Sequence, residues 1–275
     1  MKINLLIAPL ALLSTTAWAD AGADGSGSSR AADATIATDA DTVTDTTEFE
    51  FGTGADYSIG NYGAASDTSV WSIPAELKVR SGRFRAQVSV PYVTIKGPGQ
   101  IVGGVIVPSP NNTIVSRSGI GDVSVSAAYL LNRQSGGLPA FELGVGAKIP
   151  TANQTIGTGE FDYSVNLSAY EALGPNATLF GSVGYSWLTS PVAYRLNNGI
   201  TASGGINLRA APTTNLGVSV AYREPVATGL QGQAVVSPYL THRFGNSVGL
   251  TLYGVAGLNN ASPRIGGGIR LSIIR

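Results

Sequence analysis

The sequence predicts an all-β protein, an antiparallel transmembrane β-barrel of about twelve strands with short turns at one end and longer loops at the other. Three observations predict it. Apolar and polar residues alternate in runs of strand length, the connections between runs are alternately long and short, and after the first twenty residues no continuous apolar stretch reaches the roughly 20 residues of a spanning helix. A chain that enters a bilayer without such a helix must close its backbone hydrogen bonds in a barrel. Abundant Gly (36 of 275 residues), 11 Tyr and only 12% charged residues agree with that class.

The N-terminus has its own logic. Lys2 precedes an apolar run from Leu5 to Leu13, broken by Pro9, and then the small-residue sequence Ala17-Trp18-Ala19. This order predicts a signal peptide over 1–19, cleaved after Ala19, and therefore export. Residues 20–46 are mainly Ala, Asp, Thr, Ser and Gly and cannot bury enough apolar surface to offset the entropy of ordering, so they are expected to form a flexible acidic periplasmic segment. From Asp20 to Glu50 eight acidic residues face one basic residue, Arg30; from Phe51 onward 15 basic residues face 9 acidic ones. The barrel is expected to occupy 47–275. With no cysteine in the sequence, disulfides, catalytic thiols and thiolate metal sites are all excluded.

The strands follow from period-two alternation. The first runs through Phe49, Phe51, Ala55, Tyr57 and Ile59. In the second, Trp71, Ile73, Ala75, Leu77 and Val79 interleave with Ser72, Pro74, Glu76, Lys78 and Arg80; the turn Ser81-Gly82 leads to Phe84, Ala86, Val88, Val90 and Tyr92. The same period recurs over 123–131, 141–149, 161–169, 179–187, 200–208, 216–222, 236–244, 248–258 and 265–273. Each run is close to the roughly 9–11 residues that cross a bilayer as a tilted strand. An even number of strands returns the C-terminus to the side on which the barrel began.

Parity assigns the faces. With the apolar side chains toward lipid, the inward set contains Glu48, Glu50, Asp56, Glu76, Lys78, Arg80, Arg83, Arg85, Asp122, Glu142, Lys148, Asp162, Arg209, Arg223 and Arg270. The opposite parity would put these charges into hydrocarbon at about 2–4 kcal/mol each near the midplane. Such a lumen fits two arrangements, a closed barrel filled by cross-paired charges or a water-filled conduit whose field selects solutes. Its basic excess favours anions in an open pore, and suggests that the acidic segment folds back as a plug. The longest connection, 96–119, carries Ile101, Val102, Val105, Ile106 and Val107 among Gly and Pro. A hairpin standing above the membrane is the expected form; a lid in the mouth and a landing site for hydrophobic solutes are the alternatives.

Several stretches resemble a known outer-membrane family. Gly119-Ile120-Gly121-Asp122, Lys148-Ile149-Pro150-Thr151, Gly157-Thr158-Gly159 through Phe161-Asp162-Tyr163, Leu179-Phe180-Gly181 through Gly184-Tyr185, and Ser237-Pro238-Tyr239-Leu240 are similar to the family called "putative MetA-pathway of phenol degradation". The similarity runs from about residue 47 to 275. It implies a barrel that moves small, often aromatic or hydrophobic, compounds across the outer membrane. The C-terminal Ile273-Ile274-Arg275 departs from the aromatic ending that barrels commonly present to the barrel-assembly machinery.

Other chemistries find less in the sequence. The single His, His242, lies beside the Gly245-Asn246 turn with outward parity and is not accompanied by a Gly-x-Ser-x-Gly motif, which argues against a lipid-modifying enzyme. Asp39, Asp41 and Asp45 lack the Gly and closing Glu of a calcium loop, so neither metal nor cofactor is expected. A closed structural or adhesive barrel is the other class, but its loops would offer little surface to a partner. The expected partners are outer-membrane lipid, a small-molecule solute and the assembly machinery, without nucleic acid.

Overall fold

Alternation becomes a closed wall in the computed structural model, which describes residues 47–275 apart from 103, 109–112, 136, 154 and 192–194. The expected signal peptide and acidic segment lie outside the described residues. Every regular element among the described residues is a strand: β1 (Glu48–Gly60), β2 (Thr68–Ser81), β3 (Phe84–Gly97), β4 (Gly99–Val102), β5 (Val105–Pro108), β6 (Val115–Ile120), β7 (Val123–Asn132), β8 (Ala140–Ile149), β9 (Asp162–Ala172), β10 (Ala177–Leu188), β11 (Gly199–Ala211), β12 (Thr214–Arg223), β13 (Gln233–Phe244), β14 (Val248–Gly257) and β15 (Ile265–Ile274).

Neighbours in the chain pair antiparallel around the wall, and β1 pairs with both β2 and β15, so the sheet closes on itself. The last residue completes the seam: Phe49 N donates to Arg275 O at 2.7 Å and Arg275 N to Phe49 O at 2.8 Å. Closure matters because an unpaired edge has no hydrogen-bond partner in hydrocarbon.

β6 and β7 are two parts of a single wall strand. Both pair with β3, β6 through Tyr92↔Ile120 and β7 through Ser89↔Ser124, and the register slips by one residue between them. Gly121 N donates to Pro91 O at 2.8 Å across this bulge, which draws the Asp122 side chain inward. The wall therefore has the twelve antiparallel strands expected, and β4 and β5 form a separate two-stranded hairpin. β6 escapes sequence reading because Val115-Ser116-Arg117-Ser118-Gly119 has no apolar face.

The outward side chains are exposed to the surroundings, which for a barrel of this class is lipid. Trp71 and Ile73 are each 53% accessible, while Ser72 between them is fully buried. Aromatic residues gather toward both rims, as in the girdles of outer-membrane barrels. Tyr57, Trp71, Tyr163, Tyr185 and Trp187 lie toward the long-loop end, with Tyr57 and Trp71 centred 4.9 Å apart and Tyr185 and Trp187 5.0 Å apart. Phe49, Phe84, Tyr129 and Phe244 lie toward the short-turn end.

Candidate functional site

The chain's own hairpin packs into the long-loop end of the barrel. The connection from 96 to 119 forms a hairpin, as expected, but β4 and β5 do not stand above the membrane. All five of the apolar residues noted in the sequence are buried, because the outer connections and the outer parts of β2, β3 and β10 supply them with an apolar environment on both faces. Ile101 and Ile106, paired across the hairpin, pack with Tyr62, Val70, Val93, Ile95 and Ile156. Val102, Val105 and Val107 pack on the other face with Leu188 and Val226, flanked by Leu196 and Leu230. Polar ties include Gly99 N donating to Thr68 Oγ1 at 2.9 Å, Arg117 donating to Gly99 O, and Gln233 Nε2 reaching Ile106 O at 3.4 Å.

Tyr62 anchors the first of these clusters. It is the one described non-glycine residue with positive φ, at 50°, and it precedes Gly63 at 83°. This left-handed turn, uncommon for a bulky residue, carries the ring inward under the hairpin. The phenol shares a 3.2 Å hydrogen bond with Ser58 Oγ, and burial pushes its pKa up to about 12.

Beside the hairpin lies a cavity of about 320 Å³. Tyr62, Val105, Val107, Val226 and Leu230 give it apolar walls, and Arg223, Glu224 and Gln233 supply polar groups. Glu224 Oε2 accepts from Ile200 N at 2.7 Å, and Gln233 Nε2 donates to Ala261 O at 2.8 Å, so both side chains are held in place.

A charged cluster lies at the same end of the lumen. Lys148 Nζ lies 3.1 Å from Asp122 Oδ2, 3.0 Å from Asp162 Oδ2 and 3.0 Å from Thr158 Oγ1. The Asp162 contact is an ion pair without hydrogen-bond alignment. Backbone donors complete both carboxylates, Ala152 N to Asp122 Oδ1 and Thr189 N to Asp162 Oδ1, each at 3.0 Å. Arg223 is close enough to Asp162 for their charges to interact. One lysine thus ties the bulge after β6 to the outer ends of β8 and β9.

A second cluster joins β1, β2 and β15. Lys78 approaches Glu50 (3.7 Å) and Glu76 (3.3 Å), and Arg270 bridges Glu76 (2.8 Å) and Asp56 (3.1 Å). On the adjoining strands, Arg85 of β3 pairs with Glu142 of β8 across β7. Arg80 is buried among these strands, and Arg209 is partly buried near the end of β11. Arg83 has a different place from the one parity gave it. It is exposed in the Gly82-Arg83 turn, where its guanidinium donates to Leu131 O at 3.2 Å, because alternation does not continue through a tight turn.

Sequence reading missed the aromatic part of the lumen. Tyr170, Phe180, Tyr239 and Tyr253 point inward and form a buried cluster with Leu130, Ala140 and Val255. Two of these rings cross an inward glycine on the next strand to reach a polar partner beyond it. Tyr239 passes over Gly217 to Asn207, and Tyr253 passes over Gly268 to Asp56. The signal, an aromatic residue in the polar set of one strand opposite a Gly in the next, becomes visible only with the register.

His242 lies near the short-turn rim, 2.8 Å from Thr214 Oγ1 through Nδ1 and edge-on to Phe244. Among the described residues no group of three or more His, Cys, Asp or Glu is placed to hold a metal ion.

The family model described as "Putative MetA-pathway of phenol degradation" matches residues 19–273. The chain belongs to this family. Among solved structures, the COG4313 outer membrane channel from Pseudomonas putida F1 is similar in fold, with a TM-score of 0.65 at 13% identity over 86% of this chain and 98% of that one. The NanC porin is similar at a TM-score of 0.52, 8% identity, 82% of this chain and 98% of its own. No curated protein sequence matches the chain. The fold is that of an outer-membrane β-barrel.

Proposed function

We propose that this family member is an outer-membrane channel for small, mainly apolar solutes and has no enzymatic role. The observation that carries this reading is the cavity beside the buried hairpin. At about 320 Å³ it is near the lower limit of small-molecule sites, and its mixed walls, apolar side chains beside Arg223, Glu224, Gln231, Gln233 and Asn260, suit a compact solute with an apolar body and several hydrogen-bonding groups. Below it the lumen continues as polar and aromatic side chains. The likenesses to proteins described as a channel and a porin agree with the reading, as does export through the expected signal peptide.

In this reading the hairpin gates the outer mouth. It is packed on apolar side chains of the connections and strand ends, whereas the wall is held by a continuous ladder, so the hairpin can move while the barrel stays closed. The inward charges Glu76, Lys78, Arg80, Arg85, Asp122, Glu142, Lys148, Asp162, Arg209, Arg223 and Arg270 would then line or brace the conduit. Their ion pairing also suits a filled barrel, and a single experiment separates the two. The Ile101→Asn/Ile106→Asn protein is refolded into planar bilayers and its conductance compared with that of the parent. More frequent or larger openings, with reversal potentials favouring anions, support a gated channel. Silence of both proteins, with heat-modifiable barrels in each, favours the structural reading.

A further inference from the structure

Toward the outer ends of β2, β3 and β6 the outward face of the wall turns polar, and the change follows the register. Ile73, Tyr92 and Ile120 are neighbours on the three strands, and all are apolar and exposed. Two residues further out the row is Trp71, Thr94 and Ser118, and the next is Ser69, Lys96 and Ser116. Val70, Val93 and Ile95 alternate with these residues and are fully buried, so parity fixes the rows on the outside. Other strands stay apolar on this face up to their outer ends, as Trp187, Ile200 and Ile265 do. The apolar face missing from β6 is thus part of a patch shared by three strands. Lys96 stands at its centre and is exposed. Its row lies about 7 Å beyond that of Trp71, which puts the ammonium just outside the aromatic girdle, at the depth of headgroup phosphates. No carboxylate pairs with it among the described residues. Asp67, on the connection before β2, is held by Arg264 through hydrogen bonds of 3.1 and 2.7 Å.

We propose that this patch binds the phosphorylated sugar headgroup of an outer-leaflet glycolipid. The phosphate sits on Lys96, whose ammonium offers only donors and needs an anionic acceptor to replace its water. Ser116 and Ser118 supply hydroxyls beside it, on the neighbouring strand. Trp71 is diagonal to Lys96 across β2 and β3, a spacing that aromatic and long side chains span, so its ring can cover the sugar. The row of Ile73, Tyr92 and Ile120 then takes the start of the acyl chains. The backbone under the site is held by two ladders, β2 with β3 and β3 with β6, and by Ser69 Oγ donating to Lys96 O at 3.5 Å. The three rows thus match the polar-to-apolar order of such a lipid, on the outer surface of the wall and apart from the lumen.

Trp71 is itself the reporter. With Trp187→Phe, the mature barrel refolded in neutral detergent has Trp71 as its one tryptophan, because Trp18 falls in the expected signal peptide. Diphosphoryl lipid A is expected to change its emission with saturation. Lys96→Gln should raise the half-saturating concentration about fivefold, the contribution of one basic residue at an anionic lipid surface, and Lys96→Arg should restore most of it. Dephosphorylated lipid A should show the same weakening on the barrel that keeps Lys96. In the Trp71→Phe barrel the reporter is Trp187 on β10, which should not respond. Equal half-saturation for the parent and Lys96→Gln, equal binding of the phosphorylated and dephosphorylated lipids, or an equal response at Trp187 would overturn the site. Equal half-saturation by phosphatidylglycerol would overturn the assignment to a glycolipid. The comparison of the two lipids leaves Lys96 in place and requires no conduction, so it decides the matter even if a Lys96 variant fails to fold or the channel is silent.

Discussion

The ring of Tyr239 occupies the space over Gly217, its register partner on β12, and its hydroxyl reaches Asn207 on β11 at 3.2 Å. A Cβ at 217 would overlap the ring, so glycine here is required by the neighbour and not by backbone conformation. Gly217→Ala is expected to destabilise the barrel by about 1–3 kcal/mol, the usual effect of overpacking. Tyr239→Phe keeps the ring but leaves the fully buried Asn207 Oδ1 without this donor, a loss of ~1–3 kcal/mol. Urea unfolding in detergent, followed by heat-modifiable migration, checks both. Unchanged midpoints for Gly217→Ala would mean that the ring swings away without loss.

Lys148 ties its own strand β8 to the bulge at Asp122, the start of β9 at Asp162 and the intervening connection at Thr158, with its side chain 5% exposed. Lys148→Met removes the cation that contacts both carboxylates, and broken buried pairs of this kind typically lose about 3–5 kcal/mol. The triple variant Lys148→Met/Asp122→Asn/Asp162→Asn should recover most of that loss. Urea midpoints of the two variants decide the matter, since a single variant no less stable than the triple would show that the carboxylates stay solvated.

The wall was legible because burial on one face and lipid on the other impose a period of two that each strand carries by itself. Trp71 to Val79 against Ser72 to Arg80 needs no information from elsewhere in the chain. The site was legible only in part. That Ile101, Val102 and Val105 to Val107 must be covered is evident from their apolarity, but their cover comes from Tyr62, Ile156 and Val226 on three other connections and from Val70, Val93, Ile95 and Leu188 on strands β2, β3 and β10. The rows Tyr239-Gly217-Asn207 and Tyr253-Gly268-Asp56 depend on pairing across three strands, which local alternation does not encode. Arg83 shows the opposite limit, a parity carried one residue too far into a turn.

Trp71 and Trp187 both face outward near the long-loop rim, and Trp18 falls in the expected signal peptide. Mature protein in vesicles should therefore emit as a lipid-exposed indole population, with quenching by lipids brominated near the headgroup stronger than by lipids brominated at the chain ends, because girdle aromatics sit at the interface. Stronger quenching at the chain ends would place this rim deeper than the strand ends imply.

Tyr62 gives the packed hairpin an alkaline limit. Its phenol is buried under the hairpin and titrates near 12 in the folded protein against an ordinary value of 10. A raised folded pKa means that the neutral phenol favours the packed hairpin: this contribution is fully present below pH 10 and is lost as pH rises through 12. Tyrosinate absorbance at 295 nm, as the difference between the parent and Tyr62→Phe proteins, should show one phenol titrating well above 10. If the hairpin gates the pore, the parent's conductance should increase over the same interval, because a phenolate cannot remain among Val70, Val93, Ile101 and Ile106. Tyr62→Phe keeps the ring and removes the proton, so its conductance should stay flat across that interval. An identical rise in both proteins would assign the alkaline opening to other groups and detach Tyr62 from the gate.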